Sequence, residues 1–378
     1  MSGAMRLSRA EKSRMTEWWF TADFVALTAV LILAGIGLVL SLAASPSVAL
    51  RSGFPAYHFV YRHAVFATAG VALMVAVSWL DPRAIRRLSL AVFAAALAGL
   101  IYVHFYGAEI NGARRWLSLA GHSLQPSEFI KPAFIVLSAW LLAEARDRPG
   151  MPALPIAILM VILLTALLIS QPDVGQTLLV LSVWTMLFFA SGQPVRHAVA
   201  IAALAGGGLF AAYHTFSHVR FRIDRFLNPL PGDLSQVDRA MRSFTEGGFL
   251  GRGPGEGTIK NVLPDAHTDF IFAVVAEEYG ILVCLALLAL FAFIVSRLLL
   301  RAANEPDASI RLAVVGLALL FGLQALINMG VNVGLLPAKG MTLPLISAGG
   351  SSILAISLTL GMALALTRRR PAASPDSV

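Results

Sequence analysis

The chain has 378 residues, 57% of them hydrophobic and 13% charged, with a mean hydropathy of +0.76 and a net charge of +8. A soluble domain carries charge on roughly a quarter of its residues, so this composition excludes one and implies an integral membrane protein. The positive balance does not imply nucleic acid, because the basic residues cluster in loops between apolar runs, where they set orientation and meet anionic membrane lipids. The single cysteine, Cys284, excludes an internal disulfide.

Arg6, Arg9, Lys12 and Arg14 precede Trp18, Trp19 and Phe20 and then an apolar run, the pattern of a basic tail with an aromatic interfacial anchor. That run, Phe24 to Ala44, is longer than the core of a cleaved signal peptide and reads as a retained helix. Ten runs approach the ~20 residues needed to cross ~30 Å of hydrocarbon: 22–44, 59–80, 85–106, 127–145, 152–170, 174–191, 194–214, 269–298, 308–334 and 348–367. The expected architecture is all-α. Residues 1–21 form a basic N-terminal tail, 22–370 a single membrane domain of ten transmembrane helices, and 371–378 a C-terminal tail; a large loop, 215–268, separates helices seven and eight. Arg83, Arg86, Arg87, Arg146, Arg148, Arg196, Arg297, Arg301, Arg311 and Arg368 to Arg370 fall at the same ends as the N-terminal cluster, so both termini are expected in the cytosol. The large loop is then external although it carries Arg220, Arg222, Arg225, Arg239, Arg242, Arg252 and Lys260, an excess that invites an anionic ligand. No internal repeat supports an inverted-repeat transporter.

Several stretches can carry chemistry. In NGARRWLSLAGHSLQPSEFIK (Asn111 to Lys131), Pro126 suits the first position of a helix, Glu128 then meets its unsatisfied amides, and Lys131 follows at pairing distance. Arg114 and Arg115 beside Trp116 form a surface that could grip phosphate and a sugar or lipid face. In QPDVGQ (Gln171 to Gln176), Asp173 either caps a helix or faces a ligand. In the loop segment from His218 to Pro229 the alternation of Arg220, Phe221 and Arg222 is compatible with an extended strand, and the Gly-rich GGFLGRGPGEG (Gly247 to Gly257) lacks the P-loop pattern. The stretch KNVLPDAHTDFIFAVVAEEYG (Lys260 to Gly280) runs from a cluster of Asp265, His267 and Asp269 into helix-compatible sequence reaching Arg297, about 42 Å long and longer than the membrane is thick. Asp269 stands at the rim, where a carboxylate either caps the helix or takes a proton from a hydroxyl nucleophile. Glu277 and Glu278 fall two turns deeper and must face protein or water rather than lipid. Gln324, Asn328 and Asn332 make a polar stripe, and the segment from Leu335 to Ser352 holds Lys339 and Ser351 in irregular, Gly- and Pro-rich sequence. No HExxH or paired histidine spacing marks a metal site.

The motifs NGARRW…QPSEFIK (Asn111 to Lys131), QPDVGQ (Gln171 to Gln176), RIDRFLNP (Arg222 to Pro229), LPDAHTDFIFAVVAEEYG (Leu263 to Gly280) and GLLPAKGMTLPLISAGGSS (Gly334 to Ser352) resemble in wording and order the shape, elongation, division and sporulation family of membrane proteins, and its division branch more than its elongation branch. The resemblance implies ten transmembrane helices and a glycosyltransferase that polymerises lipid II into peptidoglycan at the outer face of the cytoplasmic membrane. It implies a class B penicillin-binding protein as partner, alongside other divisome proteins, and no cofactor; a divalent cation finds no support in the sequence. It maps the family's essential acid onto Asp269. Substrate contacts are expected from Arg114, Arg115, Trp116, Glu128, Lys131, Asp173, Arg220, Arg222, His267, Glu277, Glu278, Lys339 and Ser351. Two departures stand out: Ala348 replaces a usual tyrosine, and Val237 to Ala240 differ from relatives. Two rival readings remain open on the residues, a lipid II flippase using Glu277, Glu278 and the Gln324 stripe, and a non-catalytic scaffold for the division machinery.

Overall fold

The computed structural model describes residues 14–110, 113–119, 122–148, 150–171, 173–193, 236–337 and 340–369, with scattered positions between 203 and 224. Its helices are α1 (Arg14–Thr21), α2 (Phe24–Arg51), α3 (His58–Ser78), α4 (Pro82–Tyr106), α5 (Pro126–Asp147), α6 (Ala153–Ser170), α7 (Val174–Ala190), α8 (Gln236–Gly247), α9 (Ile271–Ala303), α10 (Ala308–Asn332) and α11 (Gly350–Leu366). Nine of the ten expected apolar runs coincide with helices among the described residues; the seventh, 194–214, lies largely outside them. Six of these helices are long and apolar enough to cross a membrane, and α7 and α11 are shorter apolar helices of 17 residues. The chain is a multi-pass membrane protein.

Helix starts follow the local chemistry. Asp23, Asp81, Asp173 and Asp307 each precede a helix and accept a hydrogen bond from an amide three residues on, relieving one unsatisfied donor of the first turn. The core forms around α5 and α11, which are buried along almost their whole length. Lipid is as apolar as leucine, so close packing here depends on small residues. Gly70 of α3 sits directly against Ser357 of α11, and Gly316 of α10 against Ile135 and Leu187.

Three features depart from expectation. Between α4 and α5 the chain forms an antiparallel three-stranded sheet, β1 (Ala108–Ile110), β2 (Ala113–Leu119) and β3 (His122–Leu124), so the protein is not purely α-helical. Residues 14–21, expected as tail, form a docked helix: Trp18 is buried and its indole donates to Ser78 Oγ (2.9 Å). Arg368 fastens this helix to the far end of the chain, donating to Glu17, to Thr21 Oγ1 and to the Trp79 carbonyl. On the same face Asp23 binds Arg297 (2.9 Å) and Arg301 (2.6 Å) of α9. Burial pushes the Asp23 carboxyl up, but the two guanidinium groups and the Ala26 amide outweigh it and hold its pKa below the usual value.

The third departure is in α9. The expected unbroken helix is interrupted at Gly280, whose φ of 81° and ψ of 174° lie in a region closed to residues with a side chain. Loop 247–253 satisfies the backbone groups that the break frees. Ile281 and Leu282 donate to the carbonyls of Gly248 (3.0 Å) and Phe249 (3.3 Å), while Arg252 and Gly253 donate to those of Glu277 (2.9 Å) and Glu278 (3.0 Å). Residues 271–278 are buried throughout, whereas beyond Gly280 one face of the helix is exposed and apolar.

Candidate functional site around Asp269

Asp269 closes a tight turn before α9. Asp265 adopts a left-handed conformation (φ 51°), and its carbonyl accepts from the amides of Thr268, Asp269 and Phe270 at 3.0–3.2 Å. The polar stripe of α10 is aimed at this turn. Asn328 and Asn332 both donate to the Asp269 carbonyl (2.9 and 3.0 Å), Asn328 also donates to the Met341 carbonyl (2.6 Å), and Asn332 accepts from the Ala273 amide (3.1 Å). Two buried side-chain amides therefore fix the main chain of a half-buried aspartate. The irregular segment 340–349 lies alongside. Ala348 donates to the His267 carbonyl (2.9 Å), Ser347 to the Thr268 carbonyl, and Gly340 (φ 62°) lies beside the Asp269 carboxylate, where an added Cβ would stand in ordinary contact 3.5 Å from Oδ2. Leu343, Leu345, Ile346 and Ser347 are buried, which is what irregular backbone inside a membrane protein requires.

His267 stacks obliquely on Phe59 of α3 (4.6 Å), and its Nδ1 is buried with no partner among the described residues. Burial holds its pKa below the usual histidine value; nearby Asp265 opposes this, and Arg51 and Arg62 add to it. The imidazole is neutral at physiological pH.

Glu277 and Glu278, 0% and 1% exposed, do not face a passage. Glu277 accepts the amides of Thr258 (2.6 Å), Ile259 (2.8 Å) and Lys260 (3.3 Å), the start of a short 3-10 turn. Glu278 accepts the Gly255 amide (3.0 Å) and pairs with Lys260, whose ammonium also reaches the Ala43 carbonyl of α2 (3.3 Å). Both carboxylates are spent on holding loop 255–260 to the helix. The glycines of this loop allow close packing: a Cβ on Gly247 would lie 2.0 Å from the Ala276 carbonyl oxygen, and one on Gly251 (φ 80°) 2.2 Å from that of Glu278.

A second buried network joins α5, α7 and α10. Lys131 donates to Glu128 (3.0 Å), Gln176 (2.7 Å) and Gln324 (3.3 Å), and Gln176 donates to Glu128 (2.6 Å). Gln324 continues to Thr342, and Thr342 to Ser352 (2.6 Å), which ties the network to segment 340–349. Ser351 links α11 to the sheet, accepting from Gln125 (3.2 Å) and donating to the Ser123 carbonyl (3.1 Å).

With this geometry described, similarity to known proteins becomes informative. The FtsW/RodA/SpoVE family of cell cycle proteins matches residues 24–371. A probable peptidoglycan glycosyltransferase FtsW from Caulobacter vibrioides is 46% identical over 97% of this chain and 94% of its own length. The chain belongs to the FtsW/RodA/SpoVE family. Another FtsW so named, from Thiomicrospira cyclica, is 37% identical over 89% of both chains. Among solved structures, a chain of a peptidoglycan synthase complex described as coordinating polymerization and crosslinking aligns with a TM-score of 0.76 at 30% identity, covering 92% of this chain and 98% of that one. RodA from Thermus thermophilus aligns with a TM-score of 0.67 at 28% identity over 92% and 97%.

Within this FtsW/RodA/SpoVE protein, the remaining residues singled out from the sequence are dispersed. Arg114 and Arg115 are neighbours in strand β2 at a shift in its register with β1, and they are engaged with different partners rather than forming one clamp. Arg114 donates to the Phe105 carbonyl (3.2 Å) and pairs with Glu109 (3.7 Å); Arg115 donates to the Gln171 carbonyl (2.9 Å) and stands 3.8 Å from Asp173. Trp116 is half-buried. Asp173 caps α7; burial raises its pKa although Arg115 opposes this. Arg220 and Asp224, the described residues of that segment, are helical and pair with each other (3.5 Å). Arg222 and Lys339 lie outside the described residues. Of the other loop cations, Arg252 pairs with Glu246 and Arg239 donates to the Val262 carbonyl (2.8 Å). Among the described residues no group of three or more His, Cys, Asp or Glu could hold a metal. Sequence reasoning missed the role of Asn328 and Asn332: their spacing exposed a polar stripe, but nothing in it named Asp269 as the target.

Proposed function

We propose that the chain is a peptidoglycan glycosyltransferase that polymerises lipid II at the outer face of the bacterial cytoplasmic membrane during septal wall synthesis. The named function of its FtsW relatives supports this. The observation that carries the reading is a half-buried carboxylate, Asp269, held through its own main chain by two buried asparagines of α10. The positive-inside distribution of arginines supports ten helices with cytosolic termini, which sets Asp269 at the external rim.

In the reaction, the Asp269 carboxylate takes the proton from the sugar 4-hydroxyl of one lipid II as that oxygen attacks the anomeric carbon of the other. The new glycosidic C–O bond forms as the bond from that carbon to the lipid pyrophosphate breaks, and the pyrophosphate leaves with the bonding pair. Arginine and lysine side chains of the external loops stabilise the departing anion. No step is assigned to a cofactor. A class B penicillin-binding protein is the proposed partner, supported by the likeness to a chain of a peptidoglycan synthase complex. Glu277, Glu278 and Gln324 already bond within the protein, which weighs against a flippase passage lined by them.

The test is polymerisation of fluorescent lipid II by the purified protein with its partner. Asp269→Asn abolishes glycan chains while the protein remains folded; normal chain formation by this variant overturns the assignment.

A further inference from the structure

We propose that Phe249 and Leu250 form a lipid anchor, inserting into the leaflet on the Asp269 side of the membrane beside the break in α9. The two side chains are 74% and 78% exposed, among the most exposed large apolar groups of the protein. Left in water they would form an apolar tip on a loop that is otherwise glycine, arginine, proline and glutamate.

Their depth is set by hydrogen bonds. Ile281 and Leu282 donate to the carbonyls of Gly248 and Phe249, so the tip is level with the first residues after the break. That level is where lipid begins. Residues 271–278 before Gly280 are buried in protein, whereas Leu282, Leu285 and Leu288 after it are 37–54% exposed and face the bilayer. On the opposite face Arg297 and Arg301, paired with Asp23, mark where the helix leaves the hydrocarbon. From Gly280 to these arginines is 17 and 21 residues, about 26 to 32 Å of helix, which brackets the ~30 Å hydrocarbon thickness. Phe249 and Leu250 thus lie at the outer hydrocarbon boundary and extend the lipid-facing surface of α9. Arg252 and Glu256, close behind them, are exposed on the water side of that boundary.

The anchor has a purpose in the fold. The same loop supplies the amides of Gly255 and Thr258 to Glu278 and Glu277, and leads into the turn that holds Asp269. Inserting its tip fixes the height of this loop relative to the membrane surface, where a lipid-linked substrate presents its headgroup. The proposal requires only that α9 crosses the membrane, so it stands or falls independently of the transferase reading.

The experiment is site-directed spin labelling of the full chain in lipid nanodiscs. The only native cysteine, Cys284, is buried, and its labelling is checked on the wild type and removed as Cys284→Ala. Nitroxides are placed by Phe249→Cys and Leu250→Cys, with Leu282→Cys as the lipid reference and Glu256→Cys as the water reference. Power saturation with oxygen and with a water-soluble nickel complex reads the depth. Labels at 249 and 250 are expected to match 282, with oxygen favoured over nickel, and to differ in sign from 256. Nickel accessibility like that of 256 overturns the proposal. So does shielding from both reagents, which would mean that a second copy or another protein covers the tip.

Discussion

Two groups of acids lie within ten residues of each other on one segment, and their surroundings differ in kind. Glu277 and Glu278 are fully buried, and their oxygens accept backbone amides or a lysine. Asp269 is half-buried, and the neighbours that fix it grip its carbonyl. Glu277 and Glu278 hold a loop to the helix through their side chains, whereas Asp269 is positioned through its main chain.

The largest expected effect tests the reactive half of this contrast. Loss of a general base removes about 10²- to 10⁴-fold of rate, so Asp269→Asn should lower polymerisation by that factor with no change in thermal unfolding. Glu278→Ala should do the reverse. It leaves Lys260 buried without its charged partner, costing about 3–5 kcal/mol of stability. A marked drop in unfolding temperature, with activity per folded molecule retained at low temperature, is the expected result; an unchanged unfolding temperature would break the contrast. Asn328→Ala probes the grip on Asp269. It removes donors to the Asp269 and Met341 carbonyls, and small displacements of catalytic groups cost up to about a hundredfold. Turnover should fall about ten- to a hundredfold at unchanged KM, whereas a loss of folded protein with normal turnover would show Asn328 to be only structural.

The smallest effect is a pH dependence. The folded pKa of His267 is lowered by burial, so the unfolded chain binds more protons below its own value near 6.5. The stability from neutral His267 is present above that value and is lost as pH falls from about 6.5 towards the folded pKa. Unfolding temperature should therefore decline between about pH 7 and 5, less steeply in His267→Phe.

Much of this was legible in the sequence because the signals are local. Pro126, Glu128 and Lys131 fall at spacings that a helix start dictates, and the pair forms as counted, though Gln176 and Gln324 complete it from distant helices. The lipid-crossing runs needed only length and polarity. The break at Gly280 was not legible, because its compensating partner is loop 247–253, some thirty residues upstream, and no periodicity links them. Apolar sequence continuing through Gly280 read as one helix for the same reason. The sheet at 108–124 was hidden by strands as short as three residues, and with it the separate partners of Arg114 and Arg115.

The clasp made by Arg368 bears on how the protein is assembled. Its bond to Glu17 spans 351 residues, which makes it among the most distant contacts in the chain. Contacts of such separation form only after the intervening segments have been ordered. A crosslink engineered between these two positions would report that synthesis and insertion are complete, and a chain ending before Arg368 would leave its first helix without this late seal.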